Sequence, residues 1–335
     1  MLIAYLFYLS RMRGPVMKKY FIAIIMLMVF VFGFYAFFHK VVREDNSTSI
    51  SQNQKTSKSG DREEVGADTI EYGLNRLDGK YIDNGSTLTP KNNEVNVNVS
   101  INHHLNEQRE YGLIILEDFK QAPFSLENQK ELSKYLFTMN PNSSKDILVK
   151  VPVKQDTKEI TFLIIKKPSY KLKEMDLNRA SILEEVLSMR YPLKHTNKLD
   201  NLKEVKPTNV IKDGLNEEMF ITDNKDKLQS VVVAKEGKRL SFSTGNDSNK
   251  PLRYAVIALK DWKQTKIIND KEVVYTTVPK AERNLFDFTL PDVKKDSNFQ
   301  LLAFPYPYQV SEDNYESQQT FGSLRTVIEP SEQNK

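Results

Sequence analysis

His103-His104 is the one adjacent pair among the four histidines of the chain. Imidazole is the commonest metal-binding side chain, so the pair raises a metal centre first. Neighbouring residues on an extended backbone point to opposite faces, which spoils chelation, and no third ligand stands at a fitting spacing. The pair reads as part of a solvated turn, and no metal is expected. Asp223-Asn-Lys-Asp-Lys227 has the outline of a calcium loop, but lysines take two ligand positions and the central glycine is missing. Gly-x-Ser-x-Gly, Ser-x-x-Lys, His-Glu-x-x-His, Gly-x-Gly-x-x-Gly and the phosphate loop are all absent. With no cysteine there is no thiolate nucleophile, thiolate zinc site or disulfide. No catalytic residue and no cofactor is assigned.

Phe304-Pro-Tyr-Pro-Tyr308 is the stretch best suited to touching a partner. Proline stiffens the backbone, and tyrosine offers an apolar face with a polar tip, which suits an unknown protein or glycan. Phe304, Tyr306 and Tyr308 are the candidate partner-contact residues. An aromatic packed over the sandwich rim at a strand end is the simpler account of them and needs no partner.

These residues sit in a chain written twice. Tyr111-Gly-Leu-Ile-Ile-Leu-Glu-Asp-Phe-Lys-Gln121 returns 143 residues later as Tyr254-Ala-Val-Ile-Ala-Leu-Lys-Asp-Trp-Lys-Gln264, with six of eleven positions identical. Asp118 and Asp261 recur in the motif Asp-aromatic-Lys-Gln. A repeated binding residue is one reading; a turn that both copies need for folding is the simpler one. Val95–Ile101 alternates as a half-buried strand does and matches Lys238–Thr244 at the same offset. At an offset of 139, Ile147-x-Val-x-Val-Pro152 matches Phe286-x-Phe-x-Leu-Pro291, and Ile160–Ile165 matches Phe299–Phe304. At the Phe304 stretch the first copy has Lys166-Lys-Pro-Ser-Tyr170, and opposite the histidines the second has Asn246-Asp247.

Between these landmarks the copies diverge. Ser125–Phe137 has the makings of a short helix capped by Ser125, with Leu132, Tyr135 and Leu136 on one face; the second copy offers the strand-like Lys271–Val278. Ser181–Pro192 has helical spacing early on but faces Thr320–Pro330 in the repeat, so Val186–Tyr191 is read as strand, with Pro192 and Pro330 as matching landmarks. Ile114–Leu116, Ile257 and Leu259 are apolar on both faces, as in a central strand covered on both sides.

Ahead of the repeats, Tyr20–Phe38 is a run of 19 residues without charge, long enough for a bilayer core of ~30 Å. It lacks the small-residue cleavage site of a secretory signal, so it reads as a retained anchor in the lipid bilayer. Residues 1–43 hold six Lys/Arg and no acid, leaving the rest of the chain slightly acidic. The basic side stays cytoplasmic, and no domain carries the surplus that a nucleic-acid partner would need. Met17-Lys-Lys has the form of a natural start, so residues 1–16 read as a possible upstream extension. Residues 44–68 contain hardly a hydrophobe and cannot offset the entropy of ordering, so they read as a flexible tether.

The predicted fold class is mainly β: an N-terminal transmembrane helix followed by two tandem immunoglobulin/fibronectin-like β-sandwich domains related by internal duplication. The boundaries are a cytoplasmic arm (1–19), the anchor (20–38), a flexible linker (39–75), a first sandwich (76–192), a link (193–212), a second sandwich (213–330) and a tail (331–335). The function expected is single-pass display outside the cytoplasm for binding, adhesion or envelope structure, without catalysis. A surface hydrolase using Asp and Glu, or an accessory or sensor subunit of a membrane complex, are the alternatives.

Overall fold

The computed structural model describes residues 69–127, 130–193, 202–212, 219–225 and 229–331. The anchor Tyr20–Phe38 and the linker up to residue 68 lie outside them. Among the described residues no helix is long and apolar enough to cross a membrane.

The described chain is mainly β, in several antiparallel sheets. The first half contains β1 (Ile70–Asn75), β2 (Tyr81–Ile82), β3 (Glu94–His103), β4 (Arg109–Glu117), β5 (Lys120–Gln121), β6 (Ser125–Leu126), β7 (Tyr135–Met139), β8 (Ser143–Pro152), β9 (Glu159–Lys166), helix α1 (Leu177–Glu184) and β10 (Leu187–Pro192). One of its sheets runs β2-β1-β3-β8-β6; the other runs β10-β9-β4-β5, with β7 also on β4.

The second half contains β11 (Asn209–Ile211), β12 (Met219–Thr222), β13 (Val233–Lys235), β14 (Arg239–Asn246), β15 (Leu252–Lys260), β16 (Lys263–Thr265), β17 (Val273–Val278), β18 (Glu282–Thr289), β19 (Ser297–Pro305), α2 (Tyr315–Gln318), β20 (Phe321–Gly322) and β21 (Thr326–Glu329). Its sheets run β11-β18-β14-β12 and β13-β21-β19-β15-β16, with β17 on β15 and β20 on β19.

The repeat seen in sequence is a repeat of strand register. Val99 faces Ile147 across β3 and β8, and Phe242 faces Phe286 across β14 and β18. Leu113 faces Ile164 and Tyr135; Val256 faces Ala303 and Val274. Offsets of 143 and 139 carry each first-half pair onto its second-half pair. Period-2 alternation sets which face is buried: in β3 the valines at 95, 97 and 99 are buried and the residues between them are not. In the second half, Phe242 and Phe286 from one sheet and Tyr254, Val256 and Ala303 from the other join one core.

Five expectations are corrected. The linker assigned to 39–75 ends earlier and the first half starts before 76, because β1 (Ile70–Asn75) pairs with β3 along its whole length. Ser125–Phe137 is not a helix: Ser125–Leu126 pairs with β8, and Tyr135–Met139 pairs with β4 as its counterpart β17 pairs with β15. Tertiary pairing overrides the local helical spacing. Part of the link assigned to 193–212 belongs to the second half, because β11 extends β18 and Val205 N–H donates to Tyr275 O. Pro192 and Pro330 are not equivalent: Pro192 faces Glu159, and Val327 faces the matching Asn298. His103 is not solvated. It closes the inward series of β3 and is fully buried, while His104 faces outward. Val186–Tyr191 does contain the expected strand, preceded by α1, so the helical spacing and the repeat each describe part of that segment.

Candidate functional site: the groove between the halves

β4 and β15 are apolar on both faces because each has two packing partners. One face serves the strand's own half. The other builds a second core from Ile114, Leu116, Phe119, Leu163 and Ile165 of the first half and Ile257, Leu259, Trp262, Leu302 and Phe304 of the second. These are the same positions under the two offsets. The halves therefore meet reciprocally, as subunits do across a two-fold axis.

The repeated Asp-aromatic-Lys-Gln forms this contact. Asp118, Phe119, Asp261 and Trp262 all have positive φ, between 44° and 66°, the backbone of a two-residue hairpin turn usually made by Asn-Gly. Side chains disfavour that conformation. Here each aromatic is buried in the shared core, and each aspartate ties its turn to the next strand. Asp118 Oδ1 accepts from the N–H groups of Lys158 and Glu159, both at 3.0 Å; Asp261 Oδ1 accepts from Asn298 N–H at 2.9 Å. The glutamines then interlock. Gln264 Oε1 accepts from Gln121 N–H at 2.5 Å, and Gln121 Oε1 accepts from Gln264 N–H at 2.7 Å. Gln121 Nε2 donates to Trp262 O, and Gln264 Nε2 to Phe119 O.

On one side of this seam lies an open groove of about 1360 Å³. Its floor includes Asp118, Gln121, Gln264, Tyr275 and Tyr308; Lys120, Lys154, Lys263 and Lys266 are exposed along the groove. Tyr275 and Tyr308 share a hydrogen bond between their hydroxyls at 2.7 Å, and both rings meet Phe119 edge-on. Burial pushes the Tyr275 phenol up to about 12 and also raises that of Tyr308. Asp118 is raised as well, chiefly by burial, with Glu159 and Glu117 adding repulsion against the opposing pull of its two backbone N–H donors. Behind the tyrosines, Glu159 is buried against Arg190, Oε1 to Nε 2.8 Å, and its Oε2 accepts from Tyr308 N–H.

The three candidate partner-contact residues are dispersed. Phe304 is fully buried in the core between the halves, so it is not an exposed aromatic. Tyr306 packs against the second half's own core and donates its hydroxyl to Glu316. Tyr308 alone lines the groove. Tyr275, with no motif around it, was not singled out in sequence. Its visible signal is that it stands where the first copy has Leu136, just as Tyr308 stands where the first copy has Ser169.

The other candidates have structural partners. His103 Nε2 donates to Glu107 O, and its Nδ1 hydrogen-bonds the Tyr111 hydroxyl, both at 2.7 Å. Its counterpart Asn246 likewise clasps the carbonyl four residues on, Lys250 O, at 2.9 Å. Asp223 meets Lys238, and Lys225 meets Asp287. Among the described residues no cluster of His, Asp and Glu is placed to hold a metal.

No protein-family profile matches the chain, and no curated protein matches it. Solved structures it resembles include red sea bream transglutaminase (7% identity, 80% of this chain and 32% of that one, TM-score 0.21). The E. coli chaperone DraB matches at 10% identity over 78% of this chain and 97% of that one, TM-score 0.23. The secreted serine protease VesC of Vibrio cholerae matches at 10% over 72% and 48%, TM-score 0.21. The chain spans about a third of the transglutaminase's length. None of these TM-scores indicates a shared fold.

Proposed function

We propose that this is a membrane-anchored binding protein without catalytic activity, displayed outside the cytoplasm in an adhesive or envelope-structural role. Tyr20–Phe38 holds it in the bilayer, and the polar stretch behind the anchor sets the β region away from the surface. In this reading the halves are two immunoglobulin-like sandwiches descended from one duplicated module. Its support is the strand order β1-β3-β8-β6 opposed to β10-β9-β4-β5, recurring as β12-β14-β18 opposed to β21-β19-β15-β16.

One observation carries the binding role. The repeated polar residues Asp118, Gln121 and Gln264 on the groove floor are engaged in holding turns and the seam, whereas Tyr275 and Tyr308 beside them stand where the two copies stop matching. Folding accounts for what recurs; the departure from it is the natural place for a partner. Balanced charge along the groove disfavours a polyanion, in keeping with no nucleic-acid partner.

Protease treatment of intact cells tests the arrangement. Release of fragments from both halves, with the N-terminal arm retained, is the expected result. Protection of both halves in intact cells, lost on permeabilisation, would reverse the topology and sink the display role.

A further inference from the structure

The second half has a strand that the first half does not match. β11 lies on the outer edge of β18, with Asn209 facing Leu285, Val210 facing Asn284 and Ile211 facing Arg283. The offset of 139 carries those three β18 residues onto Asp146, Lys145 and Ser144 of β8. There β6 pairs with β8 only at Val149 and Lys150, and no other strand of the described residues lies along that edge. Ser144 and Asp146 are exposed. An open strand edge is a template for another strand.

The chain ahead of β1 is the segment that arrives there. β12 maps onto β1 at an offset of 147, since Met219 faces Thr244 and Tyr72 faces the matching Ile101. The same offset carries β11 onto Arg62-Glu63-Glu64. In that register Arg62 stands opposite Asp146, Glu63 opposite Lys145 and Glu64 opposite Ser144. The first two pairs are of opposite charge, which favours antiparallel pairing. Among the described residues neither Lys145 nor Asp146 forms an ion pair. Lys145 lies over the Phe137 ring, and Asp146 accepts from the Ser100 hydroxyl.

Direction and length agree with this register. Running from 62 to 64 antiparallel to β8, the chain leaves the edge at the Ser143 end. β1 starts at that same end, because Ile70 faces His103 and His103 faces Ser143. Crossing from the outer edge of β8 to β1 takes three strand spacings, about 14 Å. The chain from Glu64 to Ile70 reaches about 20 Å when extended.

We propose that Arg62–Glu64 docks as an antiparallel strand on the outer edge of β8 at Ser144–Asp146, completing the first-half sheet as β11 completes the second. The path to the anchor then departs from this edge, which is closed to strands of other chains.

The full chain in phosphatidylcholine nanodiscs holding one copy each tests this, aided by the absence of native cysteine. Glu64→Cys with Ser144→Cys leaves both charge pairs intact and is expected to oxidise to a disulfide. Asp61→Cys or Val65→Cys with Ser144→Cys should react at least about tenfold more slowly, because their side chains point to the other face and diverging Cβ vectors do not bridge. Hydrogen exchange gives a second reading. Amides at 62–64 should be protected, Asp146→Arg should lower that protection about fivefold, and adding Arg62→Asp should restore it. Equal oxidation rates at 61, 64 and 65, or unprotected amides at 62–64, would overturn the proposal. Protection that Asp146→Arg leaves unchanged would overturn the assigned register.

Discussion

Arg190 and Arg325 occupy matching places and each crosses to the other half. Arg190 precedes Tyr191, which faces Ile160; Arg325 precedes Thr326, which faces the equivalent Phe299. Arg190 Nη1 donates to Pro305 O at 2.8 Å, and Arg325 Nη2 donates to Lys166 O, the equivalent carbonyl, at 2.5 Å. Arg190 lies over Phe119 and Phe304, and Arg325 over Trp262. Both guanidinium groups are fully buried. The difference lies in charge balance: Arg190 has Glu159, while Arg325 has carbonyls and an aromatic face.

Removing one partner of a buried ion pair strands the other charge. Arg190→Met should thus destabilise the chain by about 3–5 kcal/mol, read from urea unfolding. Adding Glu159→Leu should recover only part of that loss, because Glu159 Oε2 also holds Tyr308 N–H and Arg190 Nη1 also donates to the carbonyls of Pro305, Ser317 and Gln319. Full recovery by the double variant would show that none of these bonds contributes.

The reciprocal glutamines should be energetically coupled. In a double-mutant cycle of Gln121→Ala and Gln264→Ala, the coupling energy is expected at about 0.5–3 kcal/mol, the range for residues in one hydrogen-bond network. Strict additivity would mean that the interlock is incidental to stability.

Trp262 is the one tryptophan of the chain and is buried at the seam, its Nε1 donating to Pro168 O at 2.8 Å. Its fluorescence therefore reports contact between the halves, while far-UV circular dichroism reports the strands. The shared core and two buried arginines predict coincident midpoints in denaturant, the mark of one cooperative unit. An earlier fluorescence transition would show the halves parting before either unfolds.

Asp118 has its folded-state carboxyl raised, chiefly by burial. The native state thus favours the protonated acid, and stability is lost as pH rises through that raised value. Asp118→Asn should raise the melting temperature at pH 7, and the gain should vanish once the medium is acidic enough to protonate Asp118 in both states. A gain that persists at low pH would have another origin.

The sequence displayed the repeat, the strand register and the absence of familiar catalytic motifs, since these rest on local period and spacing. Alternation in β3 also contained the burial of His103, since an inward series at 95, 97, 99 and 101 continues to 103. The apolar run Ile114–Leu116, which covers both faces of its strand, with Ile257 and Leu259 in the second copy, was the signal for the seam. What it could not show is that the covering layer is the other copy, because that depends on long-range packing. The groove was illegible for the same reason: Tyr275 and Tyr308 are 33 residues apart and meet only through β15 and β19.

The reciprocal seam has a consequence for how such a chain can grow. A face that binds its own equivalent is used up once the pair forms, so a third copy added in sequence would find that surface taken. Lengthening by further duplication would yield an unpaired remainder exposing the apolar faces of its counterparts to Ile114 and Ile257. The architecture is self-terminating at two, giving a stiff block in place of a string of beads.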